Sequence, residues 1–108
     1  IIYNFYEGIA RFDFKDLCEK NIGAEDYIEI AKNCKFTIID NIPTFNNENS
    51  NQQNRFITLI DILYEKRIPL LISIPSSLSS LGSSTKLKEP FKRTLSRLYE
   101  LTSPENNI

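Results

Sequence analysis

Two apolar runs, from Lys35 to Asp40 (KFTIID) and from Ile68 to Ile74 (IPLLISI), bracket a segment with helical periodicity, and the rest of the chain has to fit around that unit. Nearly continuous apolar runs suit strands buried on both faces, the usual state of parallel strands. Joined through a helix, they predict a βαβ unit. Phe56, Leu59, Ile60, Leu63 and Arg67 recur at 3.6-residue spacing, with Ile57 and Tyr64 widening the stripe, while Thr58, Asp61 and Glu65 gather on the opposite, solvent side. The expected helix starts near Asn51 and ends near Arg67, because Pro69 cannot extend it. Ser50 and Gln53 have the spacing of a capping box. Residues 44–50 are polar and read as a surface loop at the carboxyl end of the first strand, the edge where open α/β sheets handle ligands.

On either side of this unit the patterns are shorter. Residues 1–7 read as the tail of a strand, broken by Gly8. Residues 9–14 alternate, with Ala10, Phe12 and Phe14 on one side and Arg11 and Asp13 on the other, which predicts a strand with one wet face. Residues 15–20 read as a single helical turn with Leu17 and Cys18 inward, and residues 21–23 as a turn. From Ala24 to Asn33 a helix is expected, with Tyr27, Ile30, Ala31 and Cys34 sharing a face and an acidic first turn that suits the helix dipole. Residues 75–84 form a serine-rich connection anchored by Leu78 and Leu81. Pro90 opens a last helix whose stripe is Phe91, Leu95, Leu98 and Thr102. Lys92, Ser96 and Arg97 face away, and Glu89 and Glu100 are placed to pair with Arg93 and Arg97. Pro104 begins a frayed tail.

The fold class that follows is α/β, one region spanning residues 1–108, with flanking helices around parallel strands. Composition narrows function mainly by exclusion. Thirteen basic against fourteen acidic residues leave a net charge of -1, so no bulk attraction to nucleic acid or membrane is expected. Histidine is absent and the two cysteines, Cys18 and Cys34, are far apart in sequence, which removes zinc sites and histidine-based triads and leaves buried free thiols of a reducing compartment. No signal-peptide pattern and no apolar run of about 18 residues is present, so a cytoplasmic location is the default. Met is absent, position 1 included, and this reads as a piece cut from something longer. A phosphate-binding loop needs GxxxxGK[ST]; the chain has three glycines, and the run from Gly82 to Lys86 has the wrong order and spacing.

Two groups of residues could still take part in chemistry. Asp40, at the end of an apolar strand, has the layout used to hold Mg²⁺ in P-loop ATPases; the alternative is that Asp40 and Asn41 close the strand and begin the turn before Pro43. Arg93 and Arg97, four apart on the last helix, present two guanidiniums on one stripe, suited to phosphate, including that of a neighbouring subunit. The alternative is a solvated helix face. As a nucleic-acid surface the basic run is poor, because aromatics do not interleave with it.

The blocks IARFDFKDLCEKNIGAEDY, TIIDNIP, NRFITLIDILYEKRIPLLIS and FKRTLSRLYELTS resemble the C-terminal part of the ZapE/AFG-like P-loop ATPases, in the family's order. Gly23, Asp26 and Tyr27 match GAxDY; Arg55, Phe56, Asp61 and Tyr64 match RFxxLIDxLY; Arg93, Ser96, Arg97 and Glu100 match RTxSRLxE. The resemblance implies part of a larger P-loop NTPase fold that hydrolyses ATP with Mg²⁺, its phosphate-binding loop and magnesium-holding acid lying upstream. It also implies that Arg93 or Arg97 is a sensor or trans-acting arginine for the γ-phosphate. This fragment alone is then expected to be inactive and to bind no cofactor, its partners being the upstream P-loop half or a neighbouring ATPase subunit, and a cell-division or membrane-associated protein. Where the family commonly has a second acid, this chain has Asn41; where it has a longer aromatic and glycine-containing segment, this chain has residues 76–84. The other reading is a non-enzymatic interaction module docking such a partner, or a decayed gene product.

Overall fold

The computed structural model describes residues 4–20 and 22–103. The readings placed on residues 1–3, on Asn21 and on the tail from Pro104 lie outside them. Four strands, β1 (Asn4–Tyr6), β2 (Ile9–Asp13), β3 (Phe36–Asp40) and β4 (Leu70–Ile72), make one sheet in that order. β1 and β2 form an antiparallel hairpin whose two turn residues, Glu7 and Gly8, both have positive φ (50° and 86°), as the tight turn that matches strand twist requires. β2, β3 and β4 are parallel. Between β2 and β3 lie a π-helical turn (Lys15–Glu19) and helix α1 (Ala24–Asn33); α2 (Ser50–Glu65) joins β3 to β4, and α3 (Lys88–Thr102) follows. The α/β reading and the βαβ unit around α2 therefore stand.

Burial of β3 and β4 on both faces does not. Thr37, Ile39 and Leu70 point into the core, while Leu71 on the other face is 58% exposed; β2 has the one wet face expected of it, Ala10 and Phe12 inward and Ile9 40% exposed. The cause is topological: β2, β3 and β4 are laid down in sequence order, and crossovers that advance in one direction with one hand put their helices on one face. α1 packs on α2 and α2 on α3, forming a single layer over one continuous core.

α2 ends in a Schellman arrangement, with the Ile68 amide donating to the Leu63 carbonyl (3.0 Å) and the Arg67 amide to that of Tyr64 (3.1 Å). Leu63 and Ile68 are both buried beside it, and Arg67 takes the left-handed position (φ 56°) usually given to glycine. That geometry stops the helix at Glu65, two residues before the expected Arg67.

α2 starts at Ser50, beside the expected Asn51, but its capping differs from expectation for a different reason. Gln53 is fully buried and its amide is already committed, donating to Ser83 Oγ (2.8 Å) and accepting from the Ser84 amide (2.9 Å), while Ser50 donates to Ser84 Oγ. A buried amide must satisfy both ends, so it cannot reach back to cap its own helix. Asn46 and Asn49 do the capping one turn earlier. The loop that contains them is not wholly at the surface: Phe45 is 2% exposed and packs against Phe14, Phe56 and Phe91 with ring centroids 5.4–5.8 Å apart. Its amide donates to the Leu81 carbonyl (2.6 Å), and a Cβ on Gly82 (φ 73°) would lie 2.7 Å from the Phe45 carbonyl oxygen. Glycine is required there on both counts. The serine-rich connection is thereby stitched to the loop after β3, with Leu81 buried as its anchor.

Both cysteines are buried free thiols. Burial pushes the Cys18 thiol up to about 12, opposed by its hydrogen bond with Tyr27, and burial raises the Tyr27 phenol as well. For Cys18 the unfolded chain ionises first, near 9.0, so its contribution to stability is complete below that pH and is lost as pH rises toward the folded value; Tyr27 acts in the same direction. The urea midpoint should thus fall between pH 8 and pH 10.5, and Cys18→Ala should flatten the fall. A midpoint independent of pH over that range would contradict this burial.

Candidate functional site

The carboxyl ends of the parallel strands bring Asp13 and Asp40 side by side in register. Like charges on neighbouring strands destabilise a sheet unless each has its own partners, and here Asp40 has a cation and Asp13 two N–H donors. Arg11, exposed on β2, donates through Nε and Nη2 to the two oxygens of Asp40 (2.7 and 3.3 Å), a contact that raises the guanidinium pKa. Asn41 Nδ2 donates to Asp13 (2.6 Å) and the Lys15 amide to its other oxygen (3.0 Å), which together lower the Asp13 pKa. Asn41 is left-handed (φ 61°), the conformation asparagine tolerates best after glycine. In place of a second acid, this edge therefore has an amide donor that hydrogen-bonds the charged acid on the next strand.

Beside it is a recess of about 320 Å³, lined by Asn41, Ile42, Pro43, Ser73, Ile74 and Pro75. No lining side chain is charged, so it does not attract phosphate. Among the described residues no three His, Cys, Asp or Glu side chains gather to hold a metal ion. Asp40 is engaged by Arg11, and Asp13 by Asn41 and the Lys15 amide.

The second site is a clamp between α2 and α3. Arg97 Nη1 donates to Asp61 Oδ1, and Arg93 Nη2 lies 3.7 Å from Asp61 Oδ2. The Arg97 guanidinium also sits 4.6 Å over the Tyr64 ring, with Arg67 5.0 Å from the same ring and 3.8 Å from Glu100. The Arg97 side chain is 23% exposed and that of Arg93 62%. So Asp61, expected on the water side opposite the apolar stripe, is turned toward α3 and only one-third exposed, and Arg97 does not face away. Glu89 pairs within α3 with Lys92 (3.0 Å), and Glu100 pairs with Arg67 beyond the end of α2. Pairing rules along one helix cannot see an acid on the next.

Other block residues hold the scaffold. Tyr27 Oη donates to the Leu17 carbonyl (2.6 Å) and Arg55 Nη1 to that of Cys18 (2.9 Å), satisfying carbonyls of the π-helical turn. Asp26 accepts from the Gly23 amide (3.1 Å) at the start of α1. Arg11, Asp13 and Arg55 were not singled out as interacting groups from the sequence. For Arg11 and Asp13 the wet-face alternation of β2 was the available signal.

The structure thus gathers Arg93 and Arg97 on Asp61 and pairs Asp40 with Arg11. No helix among the described residues is long and apolar enough to cross a membrane. The model of a family described as AFG1-like ATPase matches residues 3–107. Cell division protein ZapE of Escherichia coli K12 is 30% identical over 92 residues, 85% of this chain and 24% of that protein. Lactation elevated protein 1 homolog B of Danio rerio is 37% identical over 73 residues, covering 68% of this chain and 14% of its own length. An uncharacterized Schizosaccharomyces pombe protein, C115.02c, is 35% identical over 65 residues, 60% of this chain and 14% of the yeast protein. The chain therefore spans about a quarter or less of the length of these relatives. No solved structure matches.

Proposed function

The chain belongs to the AFG1-like ATPase family, and from that premise we propose that it supplies the arginine side of an ATP-hydrolysing site whose phosphate-binding loop and Mg²⁺ ligands come from another part of the enzyme. Complete members of the family use ATP and Mg²⁺. The observation that carries this reading is the shared anchor: two guanidiniums converge on Asp61, one of them half-buried and stacked, the other mostly exposed. Arg97, Asp61 and Tyr64 make a rigid base. Arg93, held only at 3.7 Å, keeps donors available for phosphate oxygens. Its role is electrostatic, stabilising charge that develops on the transferred phosphoryl group; Arg97 is a positioning residue. The name of the bacterial relative, a cell division protein, supports a client of the cell-division kind for the assembled enzyme.

The chain has no GxxxxGK[ST] loop to wrap a triphosphate, so the 108 residues by themselves should bind Mg-ATP more weakly than about 1 mM, the millimolar affinity corresponding to only about 4 kcal/mol. Calorimetric titration of the isolated chain checks this. Submillimolar binding would place a complete nucleotide site within these residues and end the reading.

A further inference from the structure

One face of the sheet is packed under the three helices; the other is bare among the described residues. Across the register the bare face presents Tyr6, Ile9 and Phe36 in one row and Arg11, Ile38 and Leu71 in the next, with Asp13 and Asp40 at the carboxyl edge. Tyr6, Ile9 and Leu71 are 72%, 40% and 58% exposed. Parallel sheets are almost always covered on both faces. This one cannot cover its second face from its own connections, because both crossovers place their helices on the same side.

We propose that the bare face seats a helix layer from the P-loop-bearing part of the same ATPase, an inference that rests on the function proposed above. The bacterial relative is about four times as long as the stretch matched here, so the family has chain to spare for such a layer. Four strands at about 4.8 Å spacing make the face about 19 Å wide, room for two helices of about 10 Å side by side. The apolar positions lie away from the Asp13–Asp40 edge, so the layer covers Ile9, Ile38 and Leu71 together with Arg11, which shares the row of Ile38 and Leu71 and is already paired with Asp40. A second copy of this chain is the poorer occupant. At about 300 Å² of flat area the face falls below the roughly 800 Å² per partner of a stable interface for any occupant, so the occupant needs a second attachment. A partner that also engages Arg93 on α3 gains avidity that a second copy lacks.

The test titrates the 108-residue chain with a P-loop-bearing AFG1-like polypeptide lacking the matched quarter, followed by sedimentation and by ATP hydrolysis. Leu71→Lys and Ile38→Lys should weaken association at least about 30-fold, and Ile28→Lys, on α1, less than about 3-fold. Leu71 is already mostly in water, so Leu71→Lys should keep the native thermal transition; should it unfold, Ile9→Lys asks the same question. Association indifferent to these lysines overturns the proposal, as does no association at all. Self-association of the wild type that Leu71→Lys abolishes, without binding to the P-loop polypeptide, overturns it in favour of a second copy. Complex formation that Leu71→Lys abolishes but that yields no hydrolysis keeps the docking face and removes the arginine role. Hydrolysis that depends on Arg93 but not on Leu71 does the reverse.

Discussion

Arg93→Ala is expected to lower turnover of the assembled ATPase by about 10³-fold, in the range by which trans-acting arginines accelerate phosphoryl transfer, while changing KM for ATP less than about 3-fold. The asymmetry follows from where the charge is needed: an interaction made with the transferring phosphoryl group, and not with the ground-state nucleotide, appears in kcat. Arg93→Lys should recover little, because an ammonium cannot reproduce the planar fork. Arg97→Ala should also lower turnover with nucleotide binding nearly intact, but by another route. Without Arg97, Asp61 loses its close partner and draws Arg93 in, so Asp61→Asn added to Arg97→Ala should restore part of the lost rate. A merely structural clamp would not give that partial rescue. Steady-state turnover of Arg93→Ala within twofold of wild type would remove this residue from the site.

Phe45→Ala should destabilise the chain by about 3–5 kcal/mol, the cost of truncating a fully buried aromatic. Phe45 sits between Phe14, Phe56 and Phe91, so the cavity opens at the junction of the π-helical turn, α2 and α3, where each wall belongs to a different element and collapse is hindered. Against a total of roughly 5–15 kcal/mol for a domain, the loss is large enough to populate unfolded chain at 37 °C. Phe45→Leu, which keeps most of the volume, should lose clearly less. Urea denaturation followed by far-UV dichroism measures both; a Phe45→Ala midpoint equal to wild type would mean the ring does not plug the core.

The same residue shows how far local pattern reaches. Residues 44–50 are polar apart from Phe45, and an average over the stretch says surface; one aromatic ring among hydrophilic neighbours gives no periodic signal. Elements with sustained periodicity behave differently. α1 runs Ala24–Asn33 as its spacing predicts, and β2 turns Ala10 and Phe12 inward, because a regular backbone repeats the same environment every turn or every second residue. At the candidate site the division is similar. The spacing of Arg93 and Arg97 puts both on one stripe, and the structure puts both on one carboxylate. That the carboxylate is Asp61, on a helix 32 residues upstream of Arg93, is a long-range fact outside any window. The capping-box spacing of Ser50 and Gln53 failed for the same reason: Ser83 and Ser84, some 30 residues away, had a prior claim on the glutamine.

By itself, then, the order of residues determined the element types, the parallel βαβ unit and the family, all of which are written in short-range periodicity and contiguous blocks. Only the tertiary structure decided which face of the sheet is covered, which acid each arginine meets and where Phe45 points. Those are outcomes of strand order and of packing between distant segments, and the local hydrophobic pattern is the same whichever partner is eventually brought alongside.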